Sequence, residues 1–486
     1  MKIPLTSAIA ASSARVLVPD ALPIAARFST DTRTLVPGDF YVALRGATFD
    51  GHTFVGEALA CGASGVVVDD ARAVPSGVGA LVVDDTTAAY LAIAGVARSA
   101  SRARVVAITG SAGKTTTKHV LAALLQRVQS GPVVATHANE NNEIGVAKLL
   151  LGAPDDAAYI VVEFGARHFG EIAPLARAAR PDVAVITNIG DAHLEIFGSR
   201  ERLRETKYGI FATGARAVVP LRPSDRGITG EDASADDVAA AARDARAGRP
   251  RTYFYAADAA SEIAGTGRAS ETTVALLGRE RLVVIAGNRE GASVETHVAV
   301  AGEHNLRNVA AAAAAAVALG IAPAKIADAL RDADLPEGRY ERITLGTLAL
   351  VYDAYNASMD GTLATIASFE VESATRRIAV LGSMAELGAD APAMHARVGA
   401  AVASAAIAYV LVGGDFASDL VRGLREVGFP ADRIVAFASN AEAVTWLDAH
   451  ARPGDCILLK ASRRYRFEEI VDGLRASRAN GEARHA

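Results

Sequence analysis

Between Val105 and Val120 the chain reads VVAITGSAGKTTTKHV. A β-branched apolar run meets Gly110 and Gly113, then Lys114 and the hydroxyls of Thr115 and Thr116. That order suits an anion. Glycine lets the backbone approach oxygen atoms that a Cβ would block. A helix starting near Gly113 would aim free N–H groups and its dipole at whatever stands in front of it. Lys114 would bring a point charge to the β/γ-phosphates, and Thr115 a hydroxyl to Mg²⁺. The full P-loop pattern asks for glycine five residues before Gly113, where Ile108 stands. Gly110, Ser111, Ala112 and Gly113 therefore form a short variant of the cradle. A nucleoside triphosphate is the expected ligand, and an ordinary strand-turn-helix is the bland alternative.

Three further positions fall where strands of the same sheet should end. Glu163 closes YIVVEFGA, and a strand-end carboxylate there could hold Mg²⁺ directly or through water. His193, in TNIGDAHLEIFGS, could bind a metal or a phosphoryl group, or sit in a solvated loop. Lys207 lies in RERLRETKYGIF, and composition makes it one cation of a solvated helix face, no different from Arg202 or Arg204.

These groups need a scaffold, and the composition supplies one. With 486 residues, about three domains of roughly 150 residues are expected. Hydrophobic residues at 51% against 22% charged exclude a disordered chain and allow several cores. A formal net charge of -5 argues against a broad nucleic-acid surface. The two cysteines, Cys61 and Cys456, have no metal-ligand spacing and are expected as small buried hydrophobes. The start, MKIPLTSAIAASSARVL, has no sustained apolar run, so no signal peptide is expected. NVAAAAAAAVALGIA and AAVASAAIAYVLVGG are too short and alanine-rich to span a bilayer. A cytoplasmic, monomeric protein acting on small molecules, with no nucleic acid and no membrane insertion, is the expectation.

Along the chain, FYVALRG and SGVVVDD predict strands of a first unit, with a helix over FVGEALACGAS between them. Ala97–Ala103 (ARSASRA) is expected as a hinge. ARVVAIT, GPVVAT, AYIVVEF, PDVAVITNI and ARAVVPL are near-continuous apolar runs separated by helical patterns, which predicts a parallel sheet covered on both faces. Gly227–Pro250 reads as a surface excursion carrying one helix, and VALLG, RLVVIAG and ETHVAVAG as antiparallel strands. An alanine-rich helix is expected from about Asn305 to Leu319. After LPEGRYERI the strand-helix rhythm restarts with LALVYDAY, RRIAVLGSM, AYVLVGGD, RIVAFAS and DCILLKAS, a second parallel sheet. The polar tail RASRANGEARHA is expected to fray.

ITGSAGKTTTK, NNEIGV, VVEFGARHFGEIA, ITNIGDAHLEIFGS…K, GEHNLRN, GRYE and DAYNAS occur in this order. Together they resemble the Mur ligases from about Thr30 to Ile470, and NNEIGV, EFGARHFGEI, DAYNA and LGSMAELG are most similar to the D-alanyl-D-alanine-adding branch. The resemblance implies an α/β protein of three domains. A small N-terminal domain at 1–100 would bind a UDP-sugar-peptide. A central P-loop ATPase-type parallel-sheet domain at 101–336 would bind ATP and Mg²⁺. A C-terminal Rossmann-like domain at 337–486 would bring the amine and close over the nucleotide.

Residue by residue, the resemblance implies that Lys114, His193 and Lys207 are catalytic, and that Lys114 contacts phosphates together with Gly110, Ser111, Ala112, Gly113, Thr115 and Thr116. Thr115 and Glu163 would hold one Mg²⁺. His193 and Lys207 would serve a second, with Lys207 carbamylated and so turned from a cation into a carboxylate-like ligand. Asn305 matches an adenine-contacting asparagine, and Arg339 and Asp353 match residues that reach ATP on closure. Substrate contacts are expected from Ser29, Thr30, Asp31 and Arg33 in STDTR, Arg45 and Asp50 in RGATFDGHTF, Asn141 and Asn142 in NNEIGV, and Tyr355 and Asn356 in DAYNAS.

The implied reaction is ATP-dependent addition of D-alanyl-D-alanine to UDP-N-acetylmuramoyl-tripeptide through an acyl phosphate, in peptidoglycan precursor synthesis. Against the family pattern, the chain reads NASMDG, with Ser358 and Met359, where Asn-Pro is usual. It has Ser383 for the usual Asp and Ala461 for the usual glycine. These departures keep open a relative that joins a different amine. A P-loop regulatory ATPase is the reading from another class.

Overall fold

The computed structural model describes residues 1–46, 49–128, 130–138, 140–190, 197–221, 252–259, 272–276, 281–285, 293–385 and 387–483. Gly227–Pro250, expected as a surface excursion, lies outside them.

The first sheet has the order Arg15–Leu17, Ala80–Val82, Gly65–Val68, Phe40–Val42, Phe28–Ser29, antiparallel only at its Arg15 edge. The two expected strands are both in it, and the expected helix between them is Val55–Ala60, stopped at Gly62 with φ +93°. One face of this sheet carries a small core of its own around Tyr41, Val55 and Val66. The other face joins Tyr90, Ile93 and Ala94, and that core runs without a break into Leu150, Leu175, Ile160 and Ala184 of the central sheet and its helices. The first hundred residues are thus welded to the central unit. The expected hinge is a correction for the same reason: the helix runs Thr86–Ala100, Ala97 is fully buried, and Arg98 Nε donates to Ala179 O at 2.8 Å. The apolar spacing Tyr90, Ile93, Ala94, Ala97 continues the helix through the small residues that suggested flexibility.

Among the described residues the central sheet has nine strands. Val133–Ala135, Tyr159–Glu163, Arg104–Thr109, Val183–Ile186, Arg216–Leu221, Thr252–Ala259 and Thr272–Leu276 lie parallel in that spatial order. Arg281–Ile285 and Ser293–His297 then turn antiparallel and extend the same sheet. The expected antiparallel group is therefore correct for two of its pairings, whereas its first strand is parallel to its inner neighbour. Its last strand ends at His297, before Val298 and Val300 enter the core. Helix Lys114–Val128 and the alanine-rich helix, here Glu303–Ala318, cover one face through Leu121, Leu124, Val309 and fully buried Ala310 to Ala316. Small side chains let that helix lie close to its neighbours at interior packing density.

The last sheet has the order Glu341–Leu345, Leu348–Tyr352, Asp455–Lys460, Arg376–Leu381, Tyr409–Val412, Ile434–Ala436, and only its Glu341 edge is antiparallel. Helices Met359–Phe369, Ala391–Ser404 and Ala417–Glu426 pack on one face, and Asn440–His450 and Glu468–Ala483 on the other. Asp455–Lys460 sends its following chain to one face, while both neighbouring strands send theirs to the opposite face. Crevices consequently open at its carboxyl end, the usual place for ligands in such sheets. The tail expected to fray is helical as far as Ala483, and its last three residues lie outside the described residues. Cys456 is buried in a strand, but Cys61 is exposed at a helix end, against the expectation for both.

Candidate active site

The strand Arg104–Thr109 is buried from Val105 on and delivers the chain to Gly110, with Lys114 opening the next helix. Gly110 has φ +152° and Gly113 φ +79°, and a Cβ would collide with Thr187 Oγ1 at the first and the Asn308 carboxamide at the second. The turn is braced from the neighbouring strand's end. Asn188 O accepts from Ser111 N–H at 3.1 Å, Asn188 Oδ1 from Ala112 N–H at 2.8 Å, and Ser111 Oγ from Gly190 N–H at 3.0 Å. Sequence reasoning missed Asn188; its signal was its place at the end of a strand adjacent to the loop. Lys114 Nζ folds over the turn and donates to Gly110 O at 2.8 Å. Desolvation lowers its pKa, the Glu163 carboxylate opposes this, and the Arg339 charge adds to it. Thr116 is buried under the helix, whereas Thr115 is half-buried beside the first N–H groups, which have no partner within a helix.

Glu163, at the end of the adjoining strand, is 1% exposed. Its Oε1 accepts from Asn141 Nδ2 at 2.9 Å, and its backbone N–H donates to Thr136 Oγ1 at 2.8 Å. Oε2 accepts no hydrogen bond from the described residues and has Lys118 Nζ at 3.6 Å. Lys118, one helical turn beyond Lys114, is a second residue that sequence reasoning missed; the signal was the i, i+4 spacing. It is buried, desolvation lowers its pKa, and it donates to Thr136 O at 2.7 Å and Ala138 O at 2.9 Å. Lys207 is 3% exposed on the helix Arg200–Tyr208, and desolvation, helped by the nearby Lys114 charge, brings its pKa down to about 7. Composition had placed it on a solvated face; the fold buries it within charge reach of Lys114, Glu163 and Glu171.

Magnesium suits this corner. A carboxylate oxygen held out of water without a hydrogen bond is expensive unless something binds it, and a hard cation prefers such oxygens. Among the described residues no cluster of three His, Cys, Asp or Glu is available as an alternative metal cage. His193 lies outside the described residues.

The other expected nucleotide contacts gather on the C-terminal side. Asn305 is buried and spends its amide on Ala301 O at 3.0 Å and Arg339 O at 3.3 Å, tying the alanine-rich helix to the GRYE segment. Asp353 is buried against Lys460 Nζ at 2.8 Å, and Thr365 Oγ1 donates to it as well. Tyr355 is half-buried and Asn356 exposed, with Asn356 O accepting from Lys460 Nζ at 2.9 Å.

The remaining candidates serve local structure first. Asn141 faces Glu163, as above, and Asn142 caps the helix Glu143–Gly152 by accepting from Gly145 N–H at 3.0 Å. Ser29 Oγ donates to Asp31 O at 3.2 Å, and the Arg33 guanidinium pushes the Asp31 carboxyl down to about 2. The Lys148 charge also reaches Asp31, and Thr30 is half-buried. Arg45 pairs with Asp50 at 3.2 Å and Asp69 at 3.0 Å, and His52 joins the same cluster.

Three family models match the chain: the Mur ligase family catalytic domain at 27–128, the Mur ligase middle domain at 108–316, and the Mur ligase glutamate ligase domain at 338–463. Relatives named UDP-N-acetylmuramoyl-tripeptide–D-alanyl-D-alanine ligase include that of Synechocystis, 34% identical over 92% of this chain and 91% of its own. Those of Bacillus subtilis and Escherichia coli are 32% and 33% identical over 92% of this chain, and 92% and 93% of theirs. Among solved structures, MurF from Acinetobacter baumannii superposes with a TM-score of 0.81 at 27% identity, covering 98% of this chain and 99% of that one. The MurF ligase of Thermotoga maritima in complex with ADP gives 0.75 at 25% identity, over 94% and 98%. Models that succeed one another from Arg27 to Arg463, with relatives aligned over nine-tenths of the length, place the chain in the Mur ligase family.

Proposed function

We propose that this protein is an ATP-dependent peptide ligase that joins D-alanyl-D-alanine to UDP-N-acetylmuramoyl-tripeptide, a step of peptidoglycan precursor synthesis, acting as a cytoplasmic monomer. The observation that carries the reading is the convergence of Lys114, Glu163 and Lys207 beside the glycine turn, in a chain aligned over its length with ligases of that name. We assign residues 1–100 to the UDP-sugar-peptide, 101–336 to ATP, and 337–486 to the amine and to closure.

A carboxylate is too poor an electrophile for an amine, because oxide would have to leave. Transfer of the γ-phosphoryl group makes an acyl phosphate, whose leaving group is good. Two anions must meet in that transfer, so Lys114 and the first N–H groups of its helix offset their repulsion. Bound Mg²⁺ would neutralise further phosphate charge, held by Thr115 and Glu163 in one site and by His193 and carbamylated Lys207 in another. A lysine with a pKa near 7 carries a substantial fraction of neutral amine at neutral pH, the form that adds to CO₂. Asn141 orients the Glu163 carboxylate, and Arg339 adds positive charge over the phosphates. Closure of the C-terminal unit keeps water from the acyl phosphate until the amine attacks.

The reading with a different amine rested on Ser358, Met359, Ser383 and Ala461. All four serve the fold: Ser358 caps a helix, Met359 is buried, Ser383 Oγ accepts from Phe416 N–H at 2.8 Å, and the Ala461 methyl lies against Gly382. They give that reading no support. Phosphate release with each substrate omitted in turn, and the mass of the product from a mixed dipeptide pool, test the assignment. Turnover that ignores the dipeptide would remove it.

A further inference from the structure

The crevice at the end of strand Asp455–Lys460 holds two guanidinium groups on one aromatic ring. Arg339 lies 4.6 Å and Arg463 5.4 Å from the centre of the Tyr355 ring. The backbone bearing the ring is held: Tyr355 N–H donates to Gly338 O at 3.2 Å, and Lys460 Nζ donates to the next carbonyl, Asn356 O, at 2.9 Å. The backbone bearing Arg463 is fixed too. Buried Ser462 donates its N–H to Ser383 O at 3.3 Å and its Oγ accepts from Ala385 N–H at 2.8 Å, knotting two strand ends together.

The neighbouring basic residues are already paired: Arg464 with Asp415, and Arg466 with Glu469 at 2.9 Å. Among the described residues no acidic side chain pairs with Arg463 or Arg339. Two guanidiniums on one ring, without an acidic partner among the described residues, repel each other, and each presents a fork that fits a carboxylate or phosphate. The positions divide the work. The Arg339 charge reaches Lys114 and Lys118, on the phosphate side. Arg463 is exposed to solvent.

Resting on the ligase reading, we propose that Arg463 binds the free carboxylate of the incoming amine substrate, with Tyr355 as the spacer between it and the phosphate-facing Arg339. The nucleophile of this reaction has an amine at one end and a carboxylate at the other. Anchoring the carboxylate at Arg463 turns the amine inward and makes the crevice select for dipeptides with a free C-terminus.

The test compares D-alanyl-D-alanine with its C-terminal amide in the full-length protein and in Arg463→Gln and Arg463→Lys. The unaltered protein should favour the acid by roughly 10- to 100-fold in kcat/KM, the range of a charged hydrogen bond. Arg463→Gln should raise KM for the acid by a similar factor, well beyond any change in kcat, and bring the acid and amide within about threefold of each other. Arg463→Lys should restore part of the preference, and KM for ATP should stay put. An acid-to-amide ratio unchanged in Arg463→Gln overturns the proposal, and so does a rise confined to KM for ATP, which would give Arg463 to the phosphates. If the unaltered protein shows no dipeptide-dependent product, it is the ligase reading that fails.

Discussion

Lys207 shares its helix with Glu201, Arg202, Arg204 and Glu205, and nothing in that sequence marks it out. Tertiary packing makes it different by removing its water. Its folded pKa of about 7 lies below the usual 10.5. Between those values the unfolded chain binds a proton that the folded chain does not, so folding stability rises with pH across that window. Urea unfolding of the nucleotide-free protein at pH 7, 8 and 9 should show this rise, and Lys207→Met should flatten it; an equal slope in both would show that Lys207 is not the group involved. In ¹³C-bicarbonate the unaltered protein should give a carbamate signal that Lys207→Ala lacks. For Lys114→Ala the expectation is loss of acyl-phosphate formation by roughly 100-fold or more with the circular dichroism spectrum intact. At this scale the sequence reveals groups that come after strands or glycines, such as Lys114 and Glu163. It hides Lys118, Asn188 and the burial of Lys207, which depend on what packs against them.

Elements were readable where a residue pattern has one physical meaning. Continuous Val and Ile runs gave the parallel strands, whereas the ARSASRA hinge failed because small residues suit a helix packed against a wall as well as they suit a linker. The NASMDG departure becomes clear at this scale. Ser358 Oγ accepts from Gly361 N–H at 3.3 Å as the cap of helix Met359–Phe369, and Met359 occupies the first helical position. Asparagine and serine are comparable caps, and proline is favoured at a first helical position mainly for starting the helix. Ser358→Ala should therefore cost about 1 kcal/mol in chemical denaturation, while Ser358→Asn should stay within a few tenths. Neither should alter which amine is used, and a change in amine preference would contradict the structural role given to Ser358.

Over the whole molecule the cores are not shared evenly among the three units. One cluster joins Phe40 and Val67 of the first sheet to Val105, Ile160 and Ala217 of the central sheet through the helix Thr86–Ala100. The C-terminal sheet has its own two cores, one on each face. It meets the alanine-rich helix through Asn305 on Arg339 O at 3.3 Å, His304 on Ser368 at 3.2 Å, and His304 edge-on to Tyr340. Burial of His304 pulls its pKa down to about 4, so these ties do not titrate near neutrality. A continuous apolar core makes two units melt together, whereas a few polar ties do not. Calorimetry of the ligand-free chain should show two transitions, and hydrogen exchange should assign the first hundred residues and the central unit to the same one. ADP with magnesium should raise the central transition by mass action, and should raise the C-terminal one as well only if closure brings that unit onto the nucleotide. A single transition, or independent melting of the first hundred residues, would show that the buried helix Thr86–Ala100 does not weld the two sheets as its packing requires.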